Sequence, residues 1–548
     1  MPGRQMPLGE LLSSRGLITR EQIEFVLHEQ KATGERLGET LLRLGFVTDS
    51  DLARVLAEQS NMDFFDVRSF NPDIDLLTLL PYTVAKKHAV LPLFEKEGKL
   101  HVAIADPFDP AVGEAVFRIT GKNPVLYVAA ANQLNKLIER HYYMLEHPVE
   151  KEIERVVSNL RQNPDAEVEV GGLVDNLFRS AITFRATDMH ISPSDLSTRV
   201  LFRIDGVMRL AHVFPAALHP RLTTNIKVRS DMDISEQRRP QDGRMSFDFL
   251  GDFFDVRVSS LRTNHGENLV MRLLPSRGSS SFSINDVGFD EEDLQKVHQL
   301  FKRPFGMVLV TGPTGSGKTT TLYASLREQD YIGKNILTVE DPIEYEFLMI
   351  RQTQVNEKAD YTFSSAIRTF LRQDPDIILV GEIRDEETAI MAIRAALTGH
   401  LLLSTLHTNT AIGAIARLKD LGITPFLLSS ALAGVISQRL VRLLCPHCKE
   451  EYRPRKRLLE LYNLPEDHIY WRGKGCPQCR DSGYYGRTAI SEVLVCNKEI
   501  CHLIGEDAPL KKIEEMAREY GFHDFISSGR TKVLKGLTDV DELYRVLG

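Results

Sequence analysis

The residues Gly312, Pro313, Thr314, Gly315, Ser316, Gly317, Lys318, Thr319 and Thr320 have the types and spacing needed to hold a triphosphate. They fit the pattern G-x-x-x-x-G-K-[ST]. Met307 to Thr311 reads as a short buried strand before the loop, and Thr320 to Arg327 as the start of a helix after it. Glycines let the backbone curl so that its N–H groups face phosphate oxygens, and the helix N-terminus adds positive potential. Lys318 would reach the β- and γ-phosphates, and the Thr319 hydroxyl would ligate Mg²⁺. A glycine-rich turn of chance composition would lack this strand–loop–helix setting. Nucleoside triphosphate binding is therefore expected.

Three more polar groups follow apolar runs. Glu340-Asp341-Pro342-Ile343-Glu344 comes after Asn335 to Val339, Gly381-Glu382 after Ile377 to Val380, and His407 after Leu401 to Thr405. In a parallel α/β sheet ligands gather at the carboxyl ends of strands, so these groups should meet near the γ-phosphate. An ATPase needs Mg²⁺ held and a water activated, and carboxylates do both. The usual second acidic motif ends in Asp-Glu, but Gly381 takes the Asp position. Glu340 is expected as the water-activating base and Glu382 in Mg²⁺ or water positioning, with the reverse assignment open. The bland alternative is that Glu340 and Asp341 cap the following turn. His407 is expected to sense the γ-phosphate, and His400 to be structural.

Arginines are abundant: Arg203, Arg238, Arg244, Arg257 and Arg272 upstream, and Arg368, Arg372 and Arg384 downstream. Arg368 and Arg372 are four apart and should share a helix face. Surface ion pairs explain most arginines, but guanidiniums also stabilise charge on a transferred phosphoryl group, often in trans. Cys445/Cys448 and Cys476/Cys479 form two C-P-x-C pairs. Four thiolates close a tetrahedral Zn²⁺ site with no open position, which is structural. Cys496 and Cys501 read as ordinary thiols.

These groups need several elements to position them. The 548 residues suggest three to four domains, and 43 % hydrophobic and 26 % charged content is that of a globular protein. Net charge is −8, so nucleic acid is not an expected partner. No apolar run is long enough to span a membrane and no signal peptide is evident, so a cytosolic location is expected. Residues 1–61 hold a tandem repeat: Leu8-Gly9-Glu10 recurs as Leu37-Gly38-Glu39 at an offset of 29, maintained through Leu12/Leu41, Gly16/Gly45 and Gln30/Gln59. Two copies of helix–turn–helix are predicted. Residues 62–143 read as a small α+β unit, 144–170 as a polar, charge-rich linker with a helical start as the alternative, and 171–280 as a second α+β domain with a flexible joint at Ser276 to Ser281. Residues 281–548 read as the nucleotide domain. Its strands are predicted at 307–311, 335–339, 377–380 and 401–405 in a mostly parallel sheet, followed by a cysteine element over 440–485 and a helical tail.

Together these motifs resemble the secretion ATPase family that powers type II secretion and type IV pilus assembly, over nearly the whole chain. The set is specific: Glu340 to Glu344, Arg372-Gln-Asp-Pro-Asp376, Gly381-Glu-Ile-Arg-Asp385, Gly399 to Thr408 and both cysteine pairs. Upstream, Ala186 to His190, Phe202 to Gly206 and Arg239 to Arg244 look like the family's second domain. The resemblance implies an α/β architecture, a RecA-like phosphate-loop domain preceded by a PAS-like α+β domain. It implies a homo-hexamer binding ATP and Mg²⁺ between these domains. Arg257 and Arg272 match the family's phosphate-facing arginines of the second domain, and Arg368, Arg372 and Arg384 those of the last. Partners would be a polytopic inner-membrane platform protein and a cytoplasmic docking protein, with membrane contact only peripheral. Retraction ATPases typically lack the long N-terminal region and the cysteines, so assembly is favoured.

The N-terminal repeat looks like a cyclic di-GMP module built on Arg-Leu-Gly-x-x-Leu, a Gly and a final Gln, in two copies. Copy two matches at Arg36, Leu37, Gly38, Leu41, Gly45 and Gln59. Copy one matches at Leu8, Gly9, Leu12 and Gln30, but Pro7 replaces the arginine. Arg4 or Arg15 would have to substitute for it. The alternative is a helical packing module that docks a partner protein. Two other functions compete with the motor: a nucleotide-binding regulator without turnover, and a DNA-transfer ATPase. The intact Lys318, Thr319, Glu340 and Glu382 weigh against the first, and the acidic charge against the second.

Overall fold

The computed structural model describes residues 6–163, 166–275 and 283–548; Arg4, Pro164-Asp165 and the joint expected at Ser276 to Ser281 lie outside the described residues. The chain forms two compact units, Met1–Asn61 with Ser280–Gly548, and Met62–Ser279.

In the first unit a seven-stranded sheet carries the phosphate loop. Its order is Arg351–Gln354, Ile336–Glu340, Ile377–Val380, Leu401–Leu406, Gly306–Thr311, Leu432–Leu444, Tyr484–Val495. Every neighbouring pair is parallel except the last. The four predicted strands are present to within a residue at each end, and all their residues are buried. Such continuous apolar runs are what a sheet covered on both faces requires. The edge strand Arg351–Gln354 carries no apolar alternation, so no periodicity announced it.

The N-terminal repeat folds as helices Leu8–Ser14, Arg20–Thr33, Leu37–Leu44 and Asp49–Ser60. Thr19 and Thr48 close matching capping boxes on the second helix of each copy. The copies interlock: the first helix of each packs on the second helix of the other. Gly9 and Gly38 keep the helices close: a Cβ added to Gly9 would meet Leu37 of the other copy's first helix at 3.7 Å, and one on Gly38 would meet Leu52 of its own copy's second helix at 3.2 Å. The module packs on the nucleotide domain. Leu12, Val26, Leu41, Phe46 and Val55 share one apolar cluster with Val308, Leu322 and Tyr331 of the nucleotide domain. Phe46 stacks on Tyr331 with ring centroids 6.0 Å apart. Burying each such side chain contributes about 1.5–3 kcal/mol.

The second unit holds a four-stranded sheet, residues 63–128, and a six-stranded antiparallel sheet. The latter runs Val207–Pro215, Ser197–Ile204, Ala186–Pro193, Gly266–Pro275, Asp252–Thr263, Gln241–Phe249. The linker expected at 144–170 is helical over more than its start. Val149–Gln162 is a helix whose Val149, Ile153 and Leu160 are buried in the core of the six-stranded domain. Their spacing is helical, within a run of mixed charge.

Candidate functional site

The strand Gly306–Thr311 delivers the phosphate loop between two parallel neighbours. Gly312 (φ 142°) and Gly317 (φ 89°) occupy backbone conformations open to glycine. The helix Lys318–Arg327 starts directly after Gly317. The Lys318 ammonium donates to the carbonyls of Gly312 at 2.9 Å and Pro313 at 3.2 Å. Burial lowers its pKa, partly countered by the Glu382 carboxylate.

Glu340 ends its strand and is 4 % exposed. It accepts from Thr338 Oγ1 at 2.6 Å, from Gln352 Nε2 at 3.1 Å and from the Tyr323 hydroxyl of the phosphate-loop helix. Burial and this carboxylate keep the Tyr323 phenol protonated, so it is the donor. Glu340 therefore ties together the loop helix, its own strand and the edge strand. Glu382, at the next strand end, is more open. Arg384 sits 2.5 Å from one of its oxygens and His407 Nε2 3.5 Å from the other. His400 accepts no such role; its Nδ1 lies 2.9 Å from the Ala395 carbonyl and closes the preceding helix.

Arg368 pairs with Glu387. Arg372 does not share its helix, contrary to the expectation from four-residue spacing. The helix Phe363–Phe370 ends first, and Arg372 reaches back to the Arg368 carbonyl at 2.9 Å. Pro375 disfavours helical backbone at Asp374, whose φ is 49°. In the other unit, Arg244, Arg257 and Arg272 stand in one cross-strand row. They line a cavity of about 440 Å³. Like charges in such a row repel. Asp188, 3.0 Å from Arg272, and Asp255, 3.7 Å from Arg257, offset part of that charge. Arg203 faces Asp188 from the other side at 3.5 Å.

The four cysteines converge, with sulfurs all within 4.8 Å of one another. Adjacent pairs are 3.7–3.8 Å apart. A regular tetrahedron around Zn²⁺, with Zn–S about 2.3 Å, places sulfurs about 3.8 Å apart, so this donor set fits zinc. Burial raises the Cys445 and Cys448 thiols. Cys479, though also buried, is lowered by N–H donors from Cys476 and Gly483.

Sequence reasoning missed Tyr323, Gln352, Gln438 and Glu492. Gln438 had a signal: a neutral amide inside the buried run Leu432 to Ser437 and beyond. In the N-terminal module Leu12 and Leu41 are buried, Arg36 is exposed, and Gln59 donates to the Met6 carbonyl at 2.9 Å. Arg15 is paired with Glu58 at 3.1 Å.

A phosphate loop on a RecA-like parallel sheet, with carboxylates at the adjoining strand ends, defines a P-loop ATPase. The fold is that of the Yersinia pseudotuberculosis ATPase DotB, which aligns with 69 % of this chain and 94 % of its own at TM-score 0.51 and 19 % identity. The chain belongs to the type II/IV secretion system protein family, whose model matches residues 163–545. An MshEN domain model matches residues 60–148. The Myxococcus xanthus type IV pilus assembly ATPase PilB is 38 % identical over 564 residues, covering 99 % of this chain and 98 % of the relative. The Vibrio cholerae type II secretion system ATPase E is 46 % identical over 376 residues, 68 % and 74 % of the two chains. The chain is an ATP hydrolase of the secretion and pilus-assembly class. Among the described residues no helix is long and apolar enough to cross a membrane.

Proposed function

We propose that this ATPase is a homo-hexameric motor for assembling a pilus or pseudopilus, acting at the cytoplasmic face of the inner membrane on a polytopic platform protein. One observation carries the reading. Lys318, Glu382, His407 and Arg384 cluster where the phosphate loop opens, while Glu340 locks the loop helix to the sheet. Similarity to assembly ATPases over nearly the full chain supports assembly as the output. Arg257 and Arg272 would be the phosphate-facing arginines of the second domain. Arg368, Arg372 and Arg384 would contribute from the nucleotide domain.

Thr319 and Glu382 offer hard oxygen ligands suited to Mg²⁺, which when bound neutralises phosphate charge. Glu340 would accept the proton of the attacking water, its carboxylate oriented by Tyr323, Thr338 and Gln352. The reverse assignment is favoured by one observation, that Glu340 already accepts from three donors while Glu382 is more open. Glu340→Gln and Glu382→Gln separate the two. The base variant should bind MgATP as the wild type does and turn over at least 100-fold more slowly. The metal-positioning variant should instead need several-fold more Mg²⁺ for half-maximal turnover. Wild-type turnover in both would refute the site.

The N-terminal repeat would take cyclic di-GMP through Arg36, Leu37, Gly38 and Gln59 and through Leu8, Gly9 and Gln30 of the first copy, with exposed Arg36 making the charge-assisted contact. The MshEN match covers the segment following this repeat. Calorimetry should register binding that Arg36→Ala weakens about tenfold. No heat with the wild-type chain would leave the module as a packing unit.

A further inference from the structure

Gln438 is a polar residue with no solvent exposure, on the strand Leu432–Leu444. A buried amide left unpaired costs about 1–3 kcal/mol per group, so its partners reveal what it is for. Its Nε2 donates to the Ser316 carbonyl at 2.7 Å, and its Oε1 accepts from Thr321 Oγ1 at 2.8 Å. Both partners belong to the phosphate-loop region: one is the last turn of the loop, the other the first turn of the helix. The backbone of Gln438 approaches equally closely. Strand pairing ends at Thr311 opposite Ser437, so Gln438 stands beside Gly312. A Cβ on Gly312 would lie 2.4 Å from the Gln438 carbonyl oxygen, and one on Gly317 would lie 3.0 Å from its Nε2. Two of the motif's glycines are thus glycine in part because Gln438 occupies the space their side chains would take.

We infer that Gln438 is a positioning residue for ATP hydrolysis, which sets the phosphate loop's shape from the neighbouring strand without touching nucleotide. The inference rests on the reading of Gly312 to Thr320 as the nucleotide loop. The physical link is the Ser316–Gly317 peptide. It is planar and trans, so its C=O and N–H point in opposite directions. Drawing the Ser316 carbonyl inward to Gln438 turns the Gly317 N–H outward, where anions bind at the start of a helix. Thr321 completes the clamp, holding the amide so that its NH₂ faces Ser316. A side-chain amide supplies the donor and the acceptor side by side, one for each partner. A carboxylate of the same size keeps the bond from Thr321 but presents no donor to Ser316, and adds negative charge beneath the loop.

The test is Gln438→Glu in the full chain, read by competition of ATP and AMP against a fluorescent ATP analogue. The loop holds the β- and γ-phosphates, so a misplaced loop should erase the preference for ATP over AMP, whereas general destabilisation would weaken both. The expected result is an ATP affinity about tenfold weaker with AMP affinity unchanged. Thr321→Val should weaken ATP about threefold, and the double variant should show less than the product of the two effects. An unchanged ATP/AMP ratio in Gln438→Glu overturns the inference; if that variant does not fold, an unchanged ratio in Thr321→Val does so. Lys318→Ala separates this from the underlying reading. If Lys318→Ala loses the preference and Gln438→Glu keeps it, the positioning role alone fails. If both keep it, the loop is not the nucleotide site.

Discussion

The phosphate loop and the cysteine cluster stand at two points of one strand, Leu432–Leu444, at Gln438 and just past its end at Cys445. They are built in opposite ways. The cysteine cluster is held by its own backbone: N–H groups of Gly475, Cys476 and Gly483 each donate to a cluster sulfur at 3.2 Å. The phosphate loop borrows its supports from elsewhere. Gln438 is 122 residues from the carbonyl it holds, and Glu340 reaches the loop helix from another strand. A structural metal site needs only a fixed tetrahedron. A loop that must take and release a triphosphate cannot fill its own concavity with side chains, so its shape comes from behind.

The largest expected effects break this contrast from both ends. Lys318→Ala removes the charge aimed at the β- and γ-phosphates and should slow ATP turnover by at least 100-fold, about 3 kcal/mol of lost stabilisation. The fold should persist, because Lys318 donates only to loop carbonyls. Cys445→Ser with Cys476→Ser should do the reverse. Elemental analysis should find about one zinc per wild-type chain and none in the variant, since two thiolates no longer close the site. Hydrogen exchange should show the last domain destabilised most around residues 445–485, while ATP affinity stays within about threefold. Loss of ATP binding together with the metal would mean that the shared strand transmits disorder to Gln438, and the two sites would then be one system.

What could be read from sequence follows the same division. The loop glycines, Lys318, the strand-end glutamates and the four cysteines each declare their chemistry within a short window, and the strands beneath them are apolar runs with little else to be. The supports are invisible there. Tyr323 looks like a core aromatic until its hydroxyl is seen on Glu340. Gln438 acquires a role only once Leu432–Leu444 is known to lie beside Gly306–Thr311, a pairing that no local periodicity encodes. The interlocking of the N-terminal helices, and their burial against the nucleotide domain, likewise depend on contacts between distant segments. Arg372 illustrates the converse: spacing suggests a helix face, but the helix Phe363–Phe370 ends before Arg372.

The smallest expected effect asks whether support from behind extends to the third strand end. Glu492 lies on Tyr484–Val495, opposite Ser437 and next to the strand that holds the loop. It is 5 % exposed and accepts from the Ala411 N–H at 2.8 Å, just beyond His407, and from the Phe525 N–H at 3.4 Å. Burial raises its carboxyl from 4.5 to about 7; the two N–H donors and Arg439 oppose the rise, and Asp524 adds to it. The sign follows from where the proton sits. Between those values the folded chain keeps a proton that the unfolded chain has released, so this group's stabilisation is present below about pH 4.5 and is lost as pH climbs towards 7. Each pH unit in that window costs about 1.4 kcal/mol. Glu492→Gln holds a neutral group in the same place and should flatten this slope. The lone tryptophan, Trp471, lies in the same compact unit, so its fluorescence can follow urea unfolding of the full chain between pH 5 and 7. If wild type and Glu492→Gln show the same pH dependence, the carboxylate is ionised throughout. The segment after His407 would then be held by an anion accepting two N–H bonds rather than by a neutral acid.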